Sequence, residues 1–170
     1  MRILLAIICL IVLSQELTAQ SAKLVWASQM KGNSFDVCQA ITTDPAGNIY
    51  ATGYFSSTND FDPGPGVFNL QSVNAEDIFL AKYRPDGSLV WAKSIGDFRY
   101  QAGYTITLDS LGYIYIAGIF FGSLDFDPGP GVTTLSSAGN EDVFIAKFSN
   151  DGDMVWAKKI GGPSNDFCNS

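Results

Sequence analysis

The stretch Asp60-Phe61-Asp62-Pro63-Gly64-Pro65-Gly66-Val67 returns without change at residues 125–132, an interval of 65 residues (125 − 60). Trp26, Trp91 and Trp156 keep the same step. Eight identical residues at an interval shared by three tryptophans indicate duplicated units, and an internal period decides a fold before any local pattern does. The units align without a gap over residues 26–90 and 91–155, and a third begins at 156 and stops at 170.

Each full unit holds four strand-like segments. The first spans 39–43 in unit one and 104–108 in unit two, and it runs into Asp44 or Asp109 at a turn rich in Asp, Pro and Gly. The second spans 49–55 and 114–120, and the third spans 77–83 and 142–148. Pro85-Asp86-Gly87 and Asn150-Asp151-Gly152 then give the Asp-Gly signal of a hairpin, followed by fourth strands over 89–95 and 154–160. Residues 24–30 read as an earlier, lone copy of the fourth strand. No segment keeps an apolar period of 3.6, so almost no helix is expected.

Ile78-Phe79-Leu80-Ala81, Val143-Phe144-Ile145-Ala146 and Ile114-Tyr115-Ile116-Ala117 are apolar on both faces. Sheets covered on both sides give such runs. For antiparallel strands, stacking of like sheets supplies the cover. The expected class is therefore all-β, with four-stranded antiparallel β-propeller blades on a 65-residue repeat, two complete and others partial. A β-sandwich of eight short strands is the alternative, but it does not explain a strict period.

The units resemble the bacterial β-propeller repeats called SBBP repeats, found in exported and surface proteins of Bacteroidetes-like bacteria. The residues that carry this likeness are 44–53 (D-P-A-G-N-I-Y-A-T-G), 60–66, 77–82 (D-I-F-L-A-K) and 86–95 (D-G-S-L-V-W-A-K-S-I), with their unit-two counterparts. The resemblance implies a secreted or surface-displayed propeller, often within a longer protein. It implies no reaction and no defined catalytic residues. Propellers close with about four to eight blades, so the sequence reads as part of a longer product. Two blades alone would leave faces and edges open to pairing.

Met1-Arg2, an apolar run over 3–13 and Leu17-Thr18-Ala19 before Gln20 describe a secretory signal peptide over 1–19, leaving a repeat domain over 20–170. The apolar run is shorter than the ~20 residues of a spanning helix, and nothing later is long and apolar enough to span a membrane. The net charge of −7 argues against nucleic acid and anionic lipid as partners. The absence of histidine removes the commonest general base and zinc ligand. Cys38 and Cys168 stand two repeats apart (168 − 38 = 130) and read as small semi-buried residues at repeat starts, with a bond between them or to another chain as the alternative in an oxidising compartment.

In a propeller, residues 31–38 and the insert 56–76 would open on one face, beside 96–103 and 121–141. Function is expected on that loop face. Asp60 and Asp62, and again Asp125 and Asp127, are candidate calcium ligands, because Asp-x-Asp beside glycines is a common start for a binding loop. The competing reading is a rigid Pro-Gly turn whose aspartates accept backbone hydrogen bonds and whose Phe61 anchors it. Glu76-Asp77 and Glu141-Asp142 are adjacent pairs pointing to opposite sides of a strand, which suits strand starts better than acid–base work. The tryptophans are expected between blades, and Lys82, Lys93, Lys147 and Lys158 at strand ends or the outer rim. Phe35 and Tyr100, near Asp36, are the better candidates for ligand contact.

The expected function is a non-catalytic exported or cell-surface module that contacts an unidentified protein or glycan, with no cofactor beyond the candidate calcium. Two alternatives stand beside it: a larger propeller enzyme acting on glycans with its catalytic residues elsewhere, and a calcium-stabilised spacer.

Overall fold

The structure, a computed structural model, describes Trp26, Ala27, Gln29, Lys31, Gly32 and residues 34–168. The expected signal peptide and most of the expected lone strand over 24–30 lie outside these residues. Trp26 and Ala27, which are described, belong to no strand.

All regular structure among the described residues is β. The strands are β1 (Lys31–Gly32), β2 (Asp36–Thr43), β3 (Ile49–Phe55), β4 (Thr58–Asp60), β5 (Asn69–Gln71), β6 (Asp77–Tyr83), β7 (Leu89–Ile95), β8 (Gln101–Leu108), β9 (Ile114–Asp125), β10 (Thr134–Phe148) and β11 (Met154–Ile160). A first antiparallel sheet has the order β2-β3-β6-β7, and a second has β8-β9-β10-β11. β1, β4 and β5 make a small third sheet. This all-antiparallel arrangement is compatible with a β-propeller.

Pairings recur one sequence interval later. Asp36 faces Phe55 as Gln101 faces Phe120, and Ile78 faces Ile95 as Val143 faces Ile160. The second, third and fourth strands of unit one have the expected bounds. The first strands begin earlier than expected, at Asp36 and Gln101, because a register shift between Cys38 and Ala40, and again between Gly103 and Thr105, breaks the two-residue alternation.

Turn chemistry explains where the strands stop. The Asp44 carboxylate accepts the Asn48 amide at 2.9 Å, and Asp109 accepts that of Tyr113 at 3.0 Å. Gly87 and Gly152 close the next hairpins at φ of 85° and 78°, where a Cβ would be strained.

The sheets stack face to face, with β8 against β2, β3 and β6. Tyr50, Ile78, Leu80 and Ile95 of the first sheet share one core with Ile106, Ile114, Ile116, Phe144 and Phe148 of the second. Each fully buried aliphatic or aromatic chain contributes about 1.5–3 kcal/mol. A smaller cluster of Ala51, Phe55, Phe61, Phe79, Ala81 and Ala92 lies on the other face of the first sheet.

A clasp joins the sheets at the β10–β11 turn. Trp91 packs over Gly152, as expected of an aromatic between sheets. Lys93 pairs with Asp153 at 2.9 Å, and Asn150 donates to the Tyr50 hydroxyl at 2.9 Å. Lys82 corrects the rim expectation. It is buried, donates to Asn150 and lies 5.1 Å from the Tyr50 ring centroid. Its position facing Trp91 across the β6–β7 pair points it into the contact between sheets instead of into water.

Candidate functional site

Strand directions bring the inserts and the connections between units to one end of the stack. β3 ends and β6 begins there (Phe55 faces Asp77), and β7 ends where β8 starts. Gln101 donates its amide to the Glu76 carbonyl at 2.9 Å, and Asp166 donates to Glu141 in the same way at 2.9 Å. The end of each insert is thereby tied to the entry of the following segment.

The inserts are hairpins and not open loops. In unit one β4 pairs with β5, and β1 covers the outer edge of β4. In unit two β9 and β10 continue as single long strands, with Asp125 facing Thr134. The repeated octapeptide is the hairpin tip. Asp60 accepts the amides of Asp62 at 3.0 Å and Phe68 at 2.8 Å, and Asp62 accepts that of Gly64 at 2.8 Å. The second tip repeats this set: Asp125 accepts from Asp127 at 3.1 Å and Thr133 at 2.8 Å, and Asp127 accepts from Gly129 at 2.7 Å. The Phe68 and Asp62 amides hold the Asp60 carboxyl below the usual carboxylate range. A Cβ on Gly66 or Gly131 would collide with the Asp62 or Asp127 carboxylate, which gives those glycines a steric reason.

Phe61 and Phe126 anchor the tips. Both are fully buried. Phe61 stands edge-on to Phe55 at 5.3 Å, and Phe126 lies 4.8 Å from Phe144. Val67 and Val132, by contrast, are 71% and 77% exposed, so each tip presents an apolar point on a fixed base. One carboxylate oxygen of each of the four aspartates is thus engaged by the turn. Among the described residues, no group of three or more His, Cys, Asp or Glu is placed to hold a metal ion.

The insert roots were not legible as a site. Asp77 and Asp142 are buried; Asp77 accepts the Val73 amide at 3.1 Å, and Asp142 accepts the Ala138 amide at 2.9 Å. A Cβ on Gly96 or Gly161 would strike these carboxylates. Burial raises the Asp77 pKa to about 6, with the nearby Asp97 charge adding to the rise and the Val73 amide opposing it. Asp142 instead has Lys159 at 3.3 Å. Glu141 is also buried, and burial raises its carboxyl pKa. Ser57 and Gly122 occupy the same left-handed step at the roots, with φ of 65° and 66°.

Between the inserts, Tyr100 stands edge-on to Tyr54 at 5.7 Å and to Phe121 at 6.2 Å, bridging the two sheets. Its hydroxyl pKa is raised, chiefly by burial. Phe35 and Phe98 are exposed on the same end, Asp36 is held by Asn59, and the Arg99 guanidinium lies over Gly122. Tyr100 therefore serves the packing, while Phe35 stays available for contact.

No protein-family model matches the chain. It is 27% identical over 172 residues to an uncharacterized WD repeat-containing protein of Acanthamoeba polyphaga mimivirus, a match covering 84% of this chain and 12% of that protein. It is 26% identical over 143 residues to the regulatory protein FlaEY of Caulobacter vibrioides, covering 84% of this chain and 15% of that protein. The chain spans less than a sixth of either relative. Likeness to a WD-repeat protein, together with antiparallel sheets alone, points to a repeat fold of the β-propeller kind.

Proposed function

We propose that this chain is a non-catalytic repeat module of a β-propeller, exported or displayed at the cell surface, that acts as an interaction scaffold through the inserts bearing the octapeptide tips. The observation that carries this reading is the pair of tips. Each is fixed from within by a buried phenylalanine and by aspartate–amide bonds, yet each ends in an exposed valine. Rigid loops that present apolar points lose little entropy on binding. Residues 1–19 support export by their signal-peptide pattern. The WD-repeat relative supports a repeat module, and the SBBP resemblance supports surface display.

The experiment is a binding screen of the 170-residue chain against soluble polysaccharides and extracellular proteins, run beside the double variant Val67→Ser, Val132→Ser. The reading expects an analyte that binds the parent and loses at least about tenfold in affinity with the variant, in line with the removal of two apolar contacts. Unchanged binding by the variant, or release of reducing ends from a polysaccharide by the parent, would overturn it.

A further inference from the structure

Among the described residues, no four-stranded sheet covers the outer face of either large sheet, although Phe61 packs on Phe55 and Phe79 of the first; these faces are the repeat counterparts of the two halves of the interface inside the molecule. The outer face of the first sheet carries Ile41, which stands 65 residues before Ile106 of the interface; Ile41 is 66% exposed and Ile106 7%. The outer face of the second sheet carries Ile160, 65 residues after Ile95; Ile160 is 58% exposed and Ile95 3%. Ile95 and Ile106 lie in one buried cluster. A cleft of about 270 Å³ opens on the first face, lined by Trp26, Cys38, Ile41, Ala51, Tyr83 and Pro63 of the unit-one tip.

The free faces also fit one another in volume. Inside the molecule, a Cβ on Gly103 would meet Thr52 Oγ1 at 2.5 Å and Ile78 Cγ2 at 3.3 Å, so only glycine fits. On the free first face Cys38 holds the position of Gly103. On the free second face Ala117 and Val143 hold the positions of Thr52 and Ile78. The larger residue on one side is met by smaller residues on the other.

We propose that a second copy of this chain seats the outer face of its second sheet on the outer face of the first sheet, head to tail, with its Trp156 over Gly87 as Trp91 lies over Gly152. Trp26 holds that seat in the isolated chain, donating its indole N–H to the Pro85 carbonyl at 2.9 Å, and docking exchanges one indole for the other. The polar clasp is not reproduced, because Pro85 and Ser88 stand at the positions of Asn150 and Asp153. The contact therefore rests on apolar burial. Because its two halves differ, it is heterologous and builds open chains or closed rings. The first face adjoins the tip of unit one, whose Phe61 belongs to its buried cluster and whose Pro63 lines its cleft; the Val67 and Val132 variants test the tip reading, and the Ile41 and Ile160 variants test this one.

Sedimentation of the 170-residue chain across a concentration series tests this. The parent is expected to assemble as concentration rises. Ile41→Glu and Ile160→Glu, both at exposed positions, are each expected to weaken self-association at least about tenfold. Mixed together, they should form a dimer and nothing larger, since one variant keeps the first face and the other keeps the second. A parent that stays monomeric, a mixture that fails to pair, or an Ile160→Glu chain that associates as well as the parent would overturn the proposal. Should a variant fold poorly, Cys38 reactivity in the unaltered chain decides: labelling by a thiol reagent must slow as concentration rises, and a constant rate overturns the proposal.

Discussion

Trp91 lies across Gly152, its six-membered ring 3.0 Å from where a Cβ on that glycine would stand, and Trp26 lies across Gly87 in the same way at 3.3 Å. One indole comes from a strand of the neighbouring sheet and the other from the chain ahead of β1, yet both cap the same kind of turn. The hairpin glycine thus serves twice: it allows a positive φ and it leaves room for a ring.

Gly152→Ala should therefore cost more than Gly87→Ala. Strain at positive φ is common to both and amounts to about 1 kcal/mol. Displacement of the half-buried Trp91 adds to it, for a total of about 2–3 kcal/mol at Gly152. Trp26 is 39% exposed and can yield. Urea denaturation of the two variants checks the order.

Asp77 predicts an inverted acid response. Its folded pKa, about 6, lies above the roughly 3.9 of an unfolded aspartate. Between these values the folded state binds more protons, so stability falls as pH rises from about 4 to about 6 and then levels, by about 2–3 kcal/mol. Asp77→Asn keeps an acceptor for the Val73 amide and should flatten that segment of the curve. Thermal unfolding of both proteins across this window measures it, and a slope unchanged in the variant would assign the effect elsewhere.

Lys82 and Asn150 should be coupled across the sheets. Truncating Asn150 to alanine leaves the buried Lys82 ammonium without this acceptor, at a cost of about 1–3 kcal/mol, while truncating Lys82 costs less because the half-buried Asn150 keeps its bonds to Tyr50 and Gly112. A double-mutant cycle should return an interaction of about 0.5–2 kcal/mol. Additive losses would show that the two side chains act separately.

At the tips, Asp60→Ala should expose the Phe68 and Asp62 amides, raising their hydrogen-exchange rates at least about tenfold while leaving the core slow. Since turn amides already engage these carboxylates, calorimetric titration of the parent with calcium to millimolar concentration is expected to give no binding heat. A saturable heat lost in Asp60→Ala would restore the metal reading for Asp60, Asp62, Asp125 and Asp127.

Strands bounded by Asp-Gly or Pro-Ala-Gly turns were legible because turn chemistry and apolar runs end at the same residues, as at Ile49–Phe55 and Leu89–Ile95. The starts of β2 and β8 were hidden by the bulges beside Gln39 and Tyr104, which put successive residues out of alternation. The insert hairpins were hidden too, since Thr58-Asn59-Asp60 and Asn69-Leu70-Gln71 are three-residue strands with Leu70 as their one apolar residue, flanking a Pro-Gly tip. The common end of the inserts followed from strand directions alone. What reached that end from afar did not: Arg99 over Gly122, and Tyr100 between Tyr54 and Phe121, depend on how the two sheets stack. Lys82 was misplaced for the same reason, because a lysine in an apolar strand reads as a rim residue until its partner in the next sheet is seen.

The most direct measurement of the proposed function is hydrogen–deuterium exchange of the chain with and without a bound analyte. The account predicts new protection at residues 60–68 and 125–133, with the turns at 44–48 and 109–113 unchanged. Protection confined to those two turns, with the tips exchanging as in the free chain, would contradict it.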